Sequence, residues 1–391
     1  MLLNIPQFCL ILLIGPEGAG KSAFAKAHFQ PSEIVSLAEC HYQVTDQKID
    51  SSASPLAFEL LYHLTHLRLF NGKLTVIDAQ NLNAKEREKL RIIAKKNHCQ
   101  VVAMVFDPAI LLPKQEKYLH CYSLPNHFTQ TEVIRHKLDI DKSDESGPFD
   151  IIGDVHGCYA ELLELLTQLG YQINEALIHS EQSAVIAPLQ RRAVFVGDLT
   201  DRGPQSLAVL ALVMNMVKHG SALCIAGNHE IKLLAYLKGK SIQLKHGLET
   251  TVQEFEHASE AFKSAAIDFI ESLPIYYVFD NHRLVVAHAG MKAFYQGRIS
   301  PRIKSFSLYG ATTGEIDEFG YPIRSDWAQE YHGEALVVYG HAFTAELHWV
   351  NNTLCIDTGC AFGGKLTALR YPEKETISIS AKEIYYPSTY I

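Results

Sequence analysis

Phe149-Asp-Ile-Ile-Gly-Asp-Val-His-Gly157 is a short apolar segment that runs directly into a glycine-flanked Asp-x-His turn. The branched apolar residues within 149–152 predict a short buried strand. Asp154 and His156 follow at its carboxyl end, where the neighbouring glycines let a backbone or a phosphate approach closely. A carboxylate and an imidazole two residues apart can form half of a metal site. The sequence therefore predicts that later segments supply the remaining ligands.

Four later segments repeat this pattern of an apolar strand followed by a polar cluster. They are 192–196 before Gly197-Asp-Leu-Thr-Asp-Arg-Gly203, 222–226 before Gly227-Asn-His-Glu230, 284–287 before His288-Ala-Gly290, and 336–339 before Gly340-His341. Strand ends in layered α/β folds meet at one edge, where binding sites form. We therefore expect these clusters to converge on the Asp154 turn.

The converging side chains combine carboxylate, amide and imidazole groups without a thiolate. Such a set suits two neighbouring divalent ions, manganese in the first place and nickel, iron or zinc as alternatives. Two ions about 3.5–4 Å apart can hold a phosphate and activate water for in-line attack. Asp198 is expected to bridge them, with Asp154, His156 and one later histidine on one ion and the remaining ligands on the other. The predicted metal ligands are Asp154, His156, Asp198, Asn228, His288 and His341.

Three further residues of these clusters are candidates for catalysis. Arg202, which follows a second carboxylate at Asp201, is expected to grip phosphate oxygens with both ends of its guanidinium. His229 is the candidate general acid for the leaving alkoxide. One histidine among the 19 in the chain would mean little. Four of them at strand ends, with matching Asp and Asn, predict a metallophosphoesterase site.

The first third of the chain carries a different motif. Gly15-Pro-Glu-Gly-Ala-Gly-Lys-Ser22 follows an apolar segment at 8–14 and precedes a helical pattern, the context that a phosphate-binding loop requires. Bound ATP or GTP would place its phosphates on the loop N–H groups, with Mg²⁺ beside them. The alternative is a glycine-rich turn without a ligand, and Glu17 adds unfavourable negative charge. The predicted nucleotide-binding residues are Gly15, Gly18, Gly20, Lys21, Ser22 and Asp78.

Alternating strand and helix patterns predict a small parallel sheet around this loop, covered on both faces. We assign residues 1–140 to this domain, 141–148 to a polar linker that ends in Gly-Pro, and 149–391 to the second domain. Roughly ten residues join the strand ending at Phe106 to the one starting at Tyr118, too few for a phosphate-clamping lid. Because these residues include no arginine, we expect kinase chemistry to be lost.

The motifs of the second domain resemble those of the calcineurin-type metallophosphoesterase family. Together with Ile356-Asp-Thr-Gly-Cys-x-Phe-Gly-Gly-Lys-Leu-Thr367, they are similar to two relatives: the phosphatase domain of bacterial polynucleotide kinase-phosphatases of RNA repair, and the bacterial dinucleoside-tetraphosphatase of the asymmetric type. The first is the better match, because a phosphate loop precedes the phosphatase here. The resemblance implies an αββα sandwich and adds Asp357 to the catalytic site.

The resemblance also identifies departures from the family pattern. The family's kinase carries Ser-Asp and a nearby arginine where this chain has Ala38 and His41, which favours loss of kinase activity. The alternative is a kinase that still works with Glu39 as a substitute base. We expect no ligase domain in this chain, so a ligase or repair partner would be a separate protein. Whether the chain forms a homodimer is open.

Composition fits a cytoplasmic enzyme of ordinary type. Of 391 residues 47% are hydrophobic and 20% charged, with net charge −8, so no basic footprint for tracking along nucleic acid exists. The eight cysteines form no Cys-x-x-Cys pair, which favours reduced thiols over disulfides or zinc. No segment is long enough to span a membrane.

The expected function is hydrolysis of phosphate ends of RNA or DNA (3′- or 2′-phosphate, or 2′,3′-cyclic phosphate) or of nucleotides. The alternatives are dinucleoside-tetraphosphate hydrolysis and a nucleotide-sensing regulatory protein, with protein phosphatase activity less favoured.

Overall fold

The structure is a computed structural model that describes residues 1–48, 54–80, 82–124, 131–316 and 322–387, with the backbone alone at 322–324. It divides into two compact units. Unit 1 comprises Met1–Leu138 and Gly297–Ser300, and unit 2 comprises Asp139–Gln296 and Pro301–Ile391. Within the described ranges, no helix is long and apolar enough to cross a membrane.

Unit 1 is built on a parallel sheet. Its strands are β1 (Leu2–Pro6), β2 (Cys9–Ile14), β3 (Ile34–Ser36), β4 (Thr75–Asp78), β5 (Gln100–Val105), β6 (His120–Ser123) and β7 (Glu132–His136). Its helices are α1 (Lys21–His28), α2 (Leu37–Thr45), α3 (Pro55–Phe70) and α4 (Ala84–Lys96). The sheet order is β3-β4-β2-β5-β6, and β1 pairs with β7 separately. Every residue of β2 is buried, as expected for a strand covered on both faces.

Unit 2 contains two larger sheets and flanking helices. Its strands are β8 (Asp141–Lys142), β9 (Phe149–Ile152), β10 (Gln172–Ile173), β11 (Val185–Ile186), β12 (Arg192–Phe195), β13 (Ala222–Cys224), β14 (Tyr276–Phe279), β15 (Leu284–Ala287), β16 (Ala311–Ile316), β17 (Pro322–Ser325), β18 (Leu336–Tyr339), β19 (Trp349–Val350), β20 (Thr353–Cys355), β21 (Lys365–Tyr371) and β22 (Glu375–Ser380). Its helices are α5 (Tyr159–Gln168), α6 (Ser206–Lys218), α7 (Asn228–Leu237), α8 (Leu248–Glu256), α9 (Glu260–Ser272) and α10 (Pro301–Tyr309).

The two sheets of unit 2 pack face to face, with orders β13-β12-β9-β21-β22 and β19-β20-β18-β15-β14-β8. Phe149 and Ile151 of β9 point into the core between them, whereas Ile152 points into a core that includes residues of α5 and α6. Strands β9, β12 and β13 are parallel to one another, as are β15 and β18. Their carboxyl ends therefore deliver the turns that follow them to shared edges, and the predicted α/β class is confirmed.

Two segments differ from the domain boundaries that the sequence indicated. Asp141–Lys142, assigned to the linker at 141–148, forms strand β8 and pairs with β14. Polar residues suit an edge strand as well as a linker, so composition could not separate the two.

Gly297–Ser300, assigned to the second domain, belongs to unit 1. There the Arg298 guanidinium donates to the carbonyls of Leu69 (3.0 Å) and Phe70 (2.6 Å) at the end of α3, a favourable site for a cation.

Candidate metal centre

Asp154 enters the site from the turn after β9. Its Oδ2 accepts a hydrogen bond from His341 N at 3.0 Å, whereas Oδ1 is buried and has no partner among the described residues. Gly340 permits this arrangement, because a Cβ at that position would overlap with Asp154 Oδ1. A buried carboxylate oxygen without a donor is accounted for most simply by a cation.

Asp198 lies between two groups of imidazoles. Its Oδ2 is 3.6 Å from His156 Nε2 and 3.8 Å from His229 Nε2, and its Oδ1 is 3.4 Å from His288 Nε2. The candidate ligand atoms of His156, Asp198 and His229 lie within 4.8 Å of one another, as do those of Asp198, His288 and His341. Each carboxylate oxygen thus faces a different group, which is the arrangement that a bridging ligand requires.

Second hydrogen bonds fix the tautomers of two of these histidines. The Nδ1–H of His156 donates to the carbonyl of Thr200, and that of His288 donates to the carbonyl of Val196, both at 2.9 Å. Both Nε2 atoms therefore keep their lone pairs and point into the site, as in histidines that bind metals. His288 Nε2 also lies 2.9 Å from Asn228 Oδ1 and 3.1 Å from His341 Nδ1.

The carboxylates are poorly stabilised as anions without a cation. Burial raises the pKa of Asp198 to about 7. Burial, together with the charges of Asp357 and Asp198, raises the pKa of Asp154 well above its ordinary value. Asp357 is itself buried and accepts a hydrogen bond from Gly359 N at 3.0 Å, and burial raises its pKa as well. Divalent ions would compensate this charge, so the residues fit the two ions that the sequence predicts.

Arg202 reaches between two of the site histidines. Its Nη1 lies 2.5 Å from His156 Nε2 and its Nη2 3.2 Å from His229 Nε2. Burial and this guanidinium lower the pKa values of both histidines well below the ordinary range. Both are therefore neutral, the form in which imidazole binds a metal. A phosphate oxygen would be a stronger acceptor for Arg202 than either ring, which supports its predicted role.

The position of His229 suits two roles. The sequence left open which later histidine would join His156, and it gave His229 the role of general acid. In the structure His229 is the histidine grouped with His156 and Asp198. Its Nδ1 lies 2.5 Å from Asp201 Oδ2. His229 is therefore close enough to contact either an ion or the substrate.

Two further buried residues, Glu230 and Thr251, support the site. Glu230 is buried and accepts hydrogen bonds from the backbone N–H groups of Asp198 (2.8 Å), Leu199 (2.8 Å) and Gly227 (2.9 Å), so its carboxylate holds two ligand loops together. The position of Glu230 at the end of the Gly227-Asn-His-Glu230 motif is the sequence feature that could have indicated this role. Thr251 Oγ1 donates to Asp201 Oδ1 at 2.6 Å, and nothing in the sequence near Thr251 indicates that contact.

The glycine-rich loop of unit 1 joins β2 to α1 as predicted, with Gly18 and Gly20 in left-handed conformations. Lys21 Nζ, however, donates to the loop's own carbonyls at Gly15 (2.8 Å) and Pro16 (2.6 Å). Burial lowers the pKa of Lys21, and the charges of Asp78 and Glu17 oppose that shift. Ser22 is exposed and Asp78 is partly buried at the end of β4. The predicted loop residues are thus assembled, with the lysine turned inward.

A cavity of about 480 Å³ lies in the same unit. Its lining residues are Ala38, Glu39, Tyr42, Lys48 and Gln80. Glu39, the substitute base suggested by the sequence, therefore faces open space, while Gln80 donates to Glu17 of the phosphate loop at 3.3 Å.

Both units are similar to known proteins or protein families. An AAA domain profile matches residues 10–110. The bis(5′-nucleosyl)-tetraphosphatase PrpE (asymmetrical) of Anoxybacillus flavithermus is 46% identical over 241 residues, covering 61% of this chain and 96% of that protein. The protein of the same name from Oceanobacillus iheyensis is 47% identical over 239 residues, covering 60% and 92%.

A solved structure of a Pnkp1/Rnl/Hen1 complex covers 87% of this chain and 92% of its own, with 13% identity and a TM-score of 0.22. That similarity is too low to support an inference. The calcineurin-like phosphoesterase profile matches residues 147–343, which is half of the chain and contains each predicted metal ligand. The chain belongs to the calcineurin-like phosphoesterase family and is a metallophosphoesterase.

Proposed function

We propose that this protein hydrolyses dinucleoside tetraphosphates asymmetrically, to a nucleoside triphosphate and a nucleoside monophosphate. The observation that carries the proposal is the 46% identity to a bis(5′-nucleosyl)-tetraphosphatase over 96% of that relative's length. From the sequence motifs, hydrolysis of nucleic-acid ends is the first expectation and this activity is the alternative. The identity to these relatives supports it as the first candidate.

The site chemistry suits cleavage of a phosphoanhydride. Bound divalent ions, held by the ligand set around Asp198, would activate water and neutralise charge on the phosphoryl group. Arg202 can leave the imidazoles of His156 and His229 and bind a phosphate oxygen of the chain, which fixes the reacting phosphorus. Once Arg202 binds the phosphate, its charge no longer lowers the pKa of His229, so His229, oriented by Asp201, can take up a proton at Nε2 and give that proton to the departing phosphate.

The direct test is hydrolysis of diadenosine tetraphosphate by the purified chain with manganese, followed by separation of the nucleotides. Equal amounts of ATP and AMP are expected, and the Asp198→Asn variant should form neither. Two molecules of ADP per substrate would contradict asymmetrical cleavage. Absence of any hydrolysis, alongside turnover of a generic aryl phosphate, would show that the substrate assignment is wrong while the phosphoesterase assignment stands.

A second candidate is removal of phosphate from nucleic-acid ends, including 2′,3′-cyclic ends. The AAA domain match at residues 10–110 favours it, because a kinase-like unit beside a phosphatase suits end repair. Rates on a 3′-phosphorylated oligonucleotide and on diadenosine tetraphosphate, measured under one set of conditions, distinguish the two. A higher kcat/KM on the oligonucleotide would favour end repair over the first proposal.

A further inference from the structure

Three buried side chains of unit 2 form a second cluster of metal-binding groups, here called the thiol–carboxylate cluster: Cys158, Glu161 and Cys360. Their exposed fractions are 0%, 0% and 2%. One ligand atom of each lies within 4.8 Å of the other two. Cys158 and Glu161 come from the start of α5, whereas Cys360 lies 202 positions after Cys158, which is why no local cysteine pair signalled the cluster.

The Glu161 carboxylate is oriented but only half satisfied. Its Oε1 accepts hydrogen bonds from Lys382 N at 2.9 Å and from the Tyr385 hydroxyl at 2.8 Å. Its Oε2 is buried and finds no hydrogen-bond partner in the described part of the chain. A carboxylate that binds a metal is typically held in place by hydrogen bonds to one oxygen, while the other oxygen is available to the cation.

A metal ion would engage all three groups, whereas a disulfide would engage two. In the structure the Cys158 thiol donates a weak hydrogen bond to the carbonyl of His156 at 3.6 Å, so among the described residues of this cluster Glu161 Oε2 is the unpaired group. A disulfide would bring the sulfurs to about 2.05 Å and leave Glu161 Oε2 unpaired. Zinc binds thiolate sulfur at about 2.3 Å and carboxylate oxygen at about 2.0–2.2 Å, which places tetrahedral ligands about 3.5–3.8 Å apart. The three ligand atoms lie within 4.8 Å of one another, a limit that includes these distances. Thiolate ligands also select against magnesium and calcium, which prefer oxygen.

We propose that Cys158, Glu161 and Cys360 supply three of the ligands of a thiophilic divalent ion, zinc in the first place, at a site separate from the two-ion centre. Cys158 lies two positions after His156, and Cys360 lies three positions after Asp357. The ion would tie together the two loops that present these residues. Binding would also anchor the segment at 382–385 through the oriented carboxylate.

Cobalt provides a probe that separates this site from the two-ion centre, because thiolate–cobalt bonds give a near-ultraviolet charge-transfer band. The donors predicted at the two-ion centre are oxygen and nitrogen atoms. Reduced, chelator-stripped protein titrated with Co²⁺ should develop the band with one equivalent bound at this site, and Zn²⁺ should abolish it. Cys158→Ser and Cys360→Ser should each lose the band, and Glu161→Gln should weaken cobalt binding at least tenfold.

Two matched controls keep the test independent of folding. Cys355→Ser and Cys224→Ser remove other thiols of the same unit and should keep the band. Circular dichroism and manganese-dependent turnover of an aryl phosphate show whether each variant is folded. The proposal fails if the wild-type protein gives no band, or if the band survives in the Cys158→Ser/Cys360→Ser double variant. Recovery of Cys158 and Cys360 as a disulfide from freshly purified protein would likewise overturn it.

Discussion

His229 Nδ1 lies 2.5 Å from Asp201 Oδ2, and both side chains are at most 2% exposed. Thr251 holds the second oxygen of Asp201 at 2.6 Å. Asp201 is therefore fixed on two sides, and it presents His229 with Nε2 directed to the region of Asp198 and Arg202. An imidazolium formed at His229 during the reaction would be stabilised by this carboxylate, whose pKa burial raises to about 6.

The first prediction concerns Asp201→Asn, which keeps the shape of the side chain and removes its charge. Proton donation matters most when the leaving group is a poor one, because a strongly basic leaving oxygen cannot depart unprotonated. We expect kcat to fall about 100-fold or more for alkyl phosphates and much less for nitrophenyl phosphate. The measurement is kcat across a series of phosphate esters that differ in leaving-group pKa.

Asp280→Asn is the matched control for that series. Asp280 is also a buried carboxylate, but it follows β14 and hydrogen-bonds to Tyr371 at the opposite end of the sheet from His288. Asp280→Asn should leave the dependence of kcat on the leaving-group pKa unchanged. An equal loss for all esters in Asp201→Asn would indicate a structural role for Asp201 instead.

The second prediction concerns Asp198→Asn. Because Asp198 belongs to both imidazole groups, its loss should affect both ions rather than one. We expect phosphoesterase activity to fall by more than the roughly 10–100-fold that loss of an outer partner of a metal ligand costs. Metal analysis after equilibration with manganese should show fewer bound ions than in the wild-type protein. Full metal occupancy with full activity would remove Asp198 from the centre.

The third prediction concerns Gly340→Ala, a substitution outside the ligand set. The added Cβ would overlap with Asp154 Oδ1, so the carboxylate has to move. A displacement on this scale can reduce activity about 100-fold. Gly220→Ala is the control, since Gly220 has positive φ but no atom near the new Cβ. Activity within a few-fold of wild type in Gly340→Ala would show that Asp154 does not require this close approach.

Much of the candidate metal centre could be predicted because each proposed ligand follows an apolar strand, and all of them except His288 lie directly beside a glycine. Asp154 and His156 follow that pattern directly, whereas the nearest glycine to His288 is Gly290. The pairing of His229 with His156 could not be predicted, because it depends on how α7 begins relative to the turn after β9. The contact between Thr251 and Asp201 joins residues 50 positions apart, and no local pattern marks it.

The fold was predictable to a similar extent, and its departures have a physical reason. Buried parallel strands such as β2 have a strong apolar signal. Asp141–Lys142 and Gly297–Ser300 are short polar segments, whose placement is decided by tertiary contacts such as those of Arg298 with the end of α3. Local propensity carries little information about such contacts.

The fourth prediction concerns stability of the metal-free protein. Asp198 has a pKa of about 7 when folded and an ordinary value of 3.8, so the folded state holds its proton to higher pH than the unfolded state. The contribution of Asp198 to the free energy of unfolding should therefore fall as the pH rises from about 4 to about 7, whereas His156 and His229, whose pKa values are lowered, contribute with the opposite sign. Urea unfolding of the wild-type and Asp198→Asn proteins at these two pH values isolates the Asp198 contribution as the difference between their slopes. Added manganese should raise stability most at the higher pH, where it competes with fewer protons.

The fifth prediction concerns the phosphate loop of unit 1. Lys21 donates to the carbonyls of Gly15 and Pro16, and it must give up both bonds to reach a nucleotide. Glu17 adds negative charge near the phosphates. We therefore expect Mg·ATP to bind with a Kd above about 1 mM, which corresponds to a binding free energy smaller in magnitude than about 4 kcal/mol. We also expect γ-phosphate transfer to a 5′-OH oligonucleotide to be undetectable.

Calorimetric titration and a labelled-phosphate assay check this expectation, with Lys21→Ala as the matched variant. Lys21→Ala should leave aryl phosphate turnover unchanged, because the phosphoesterase residues all belong to unit 2. Two results would contradict the prediction. Transfer of label by the wild-type protein but not by Lys21→Ala would show a working kinase, with Glu39 as the first candidate base. An ATP-dependent change in phosphoesterase rate that Lys21→Ala removes would instead establish the loop as a nucleotide sensor.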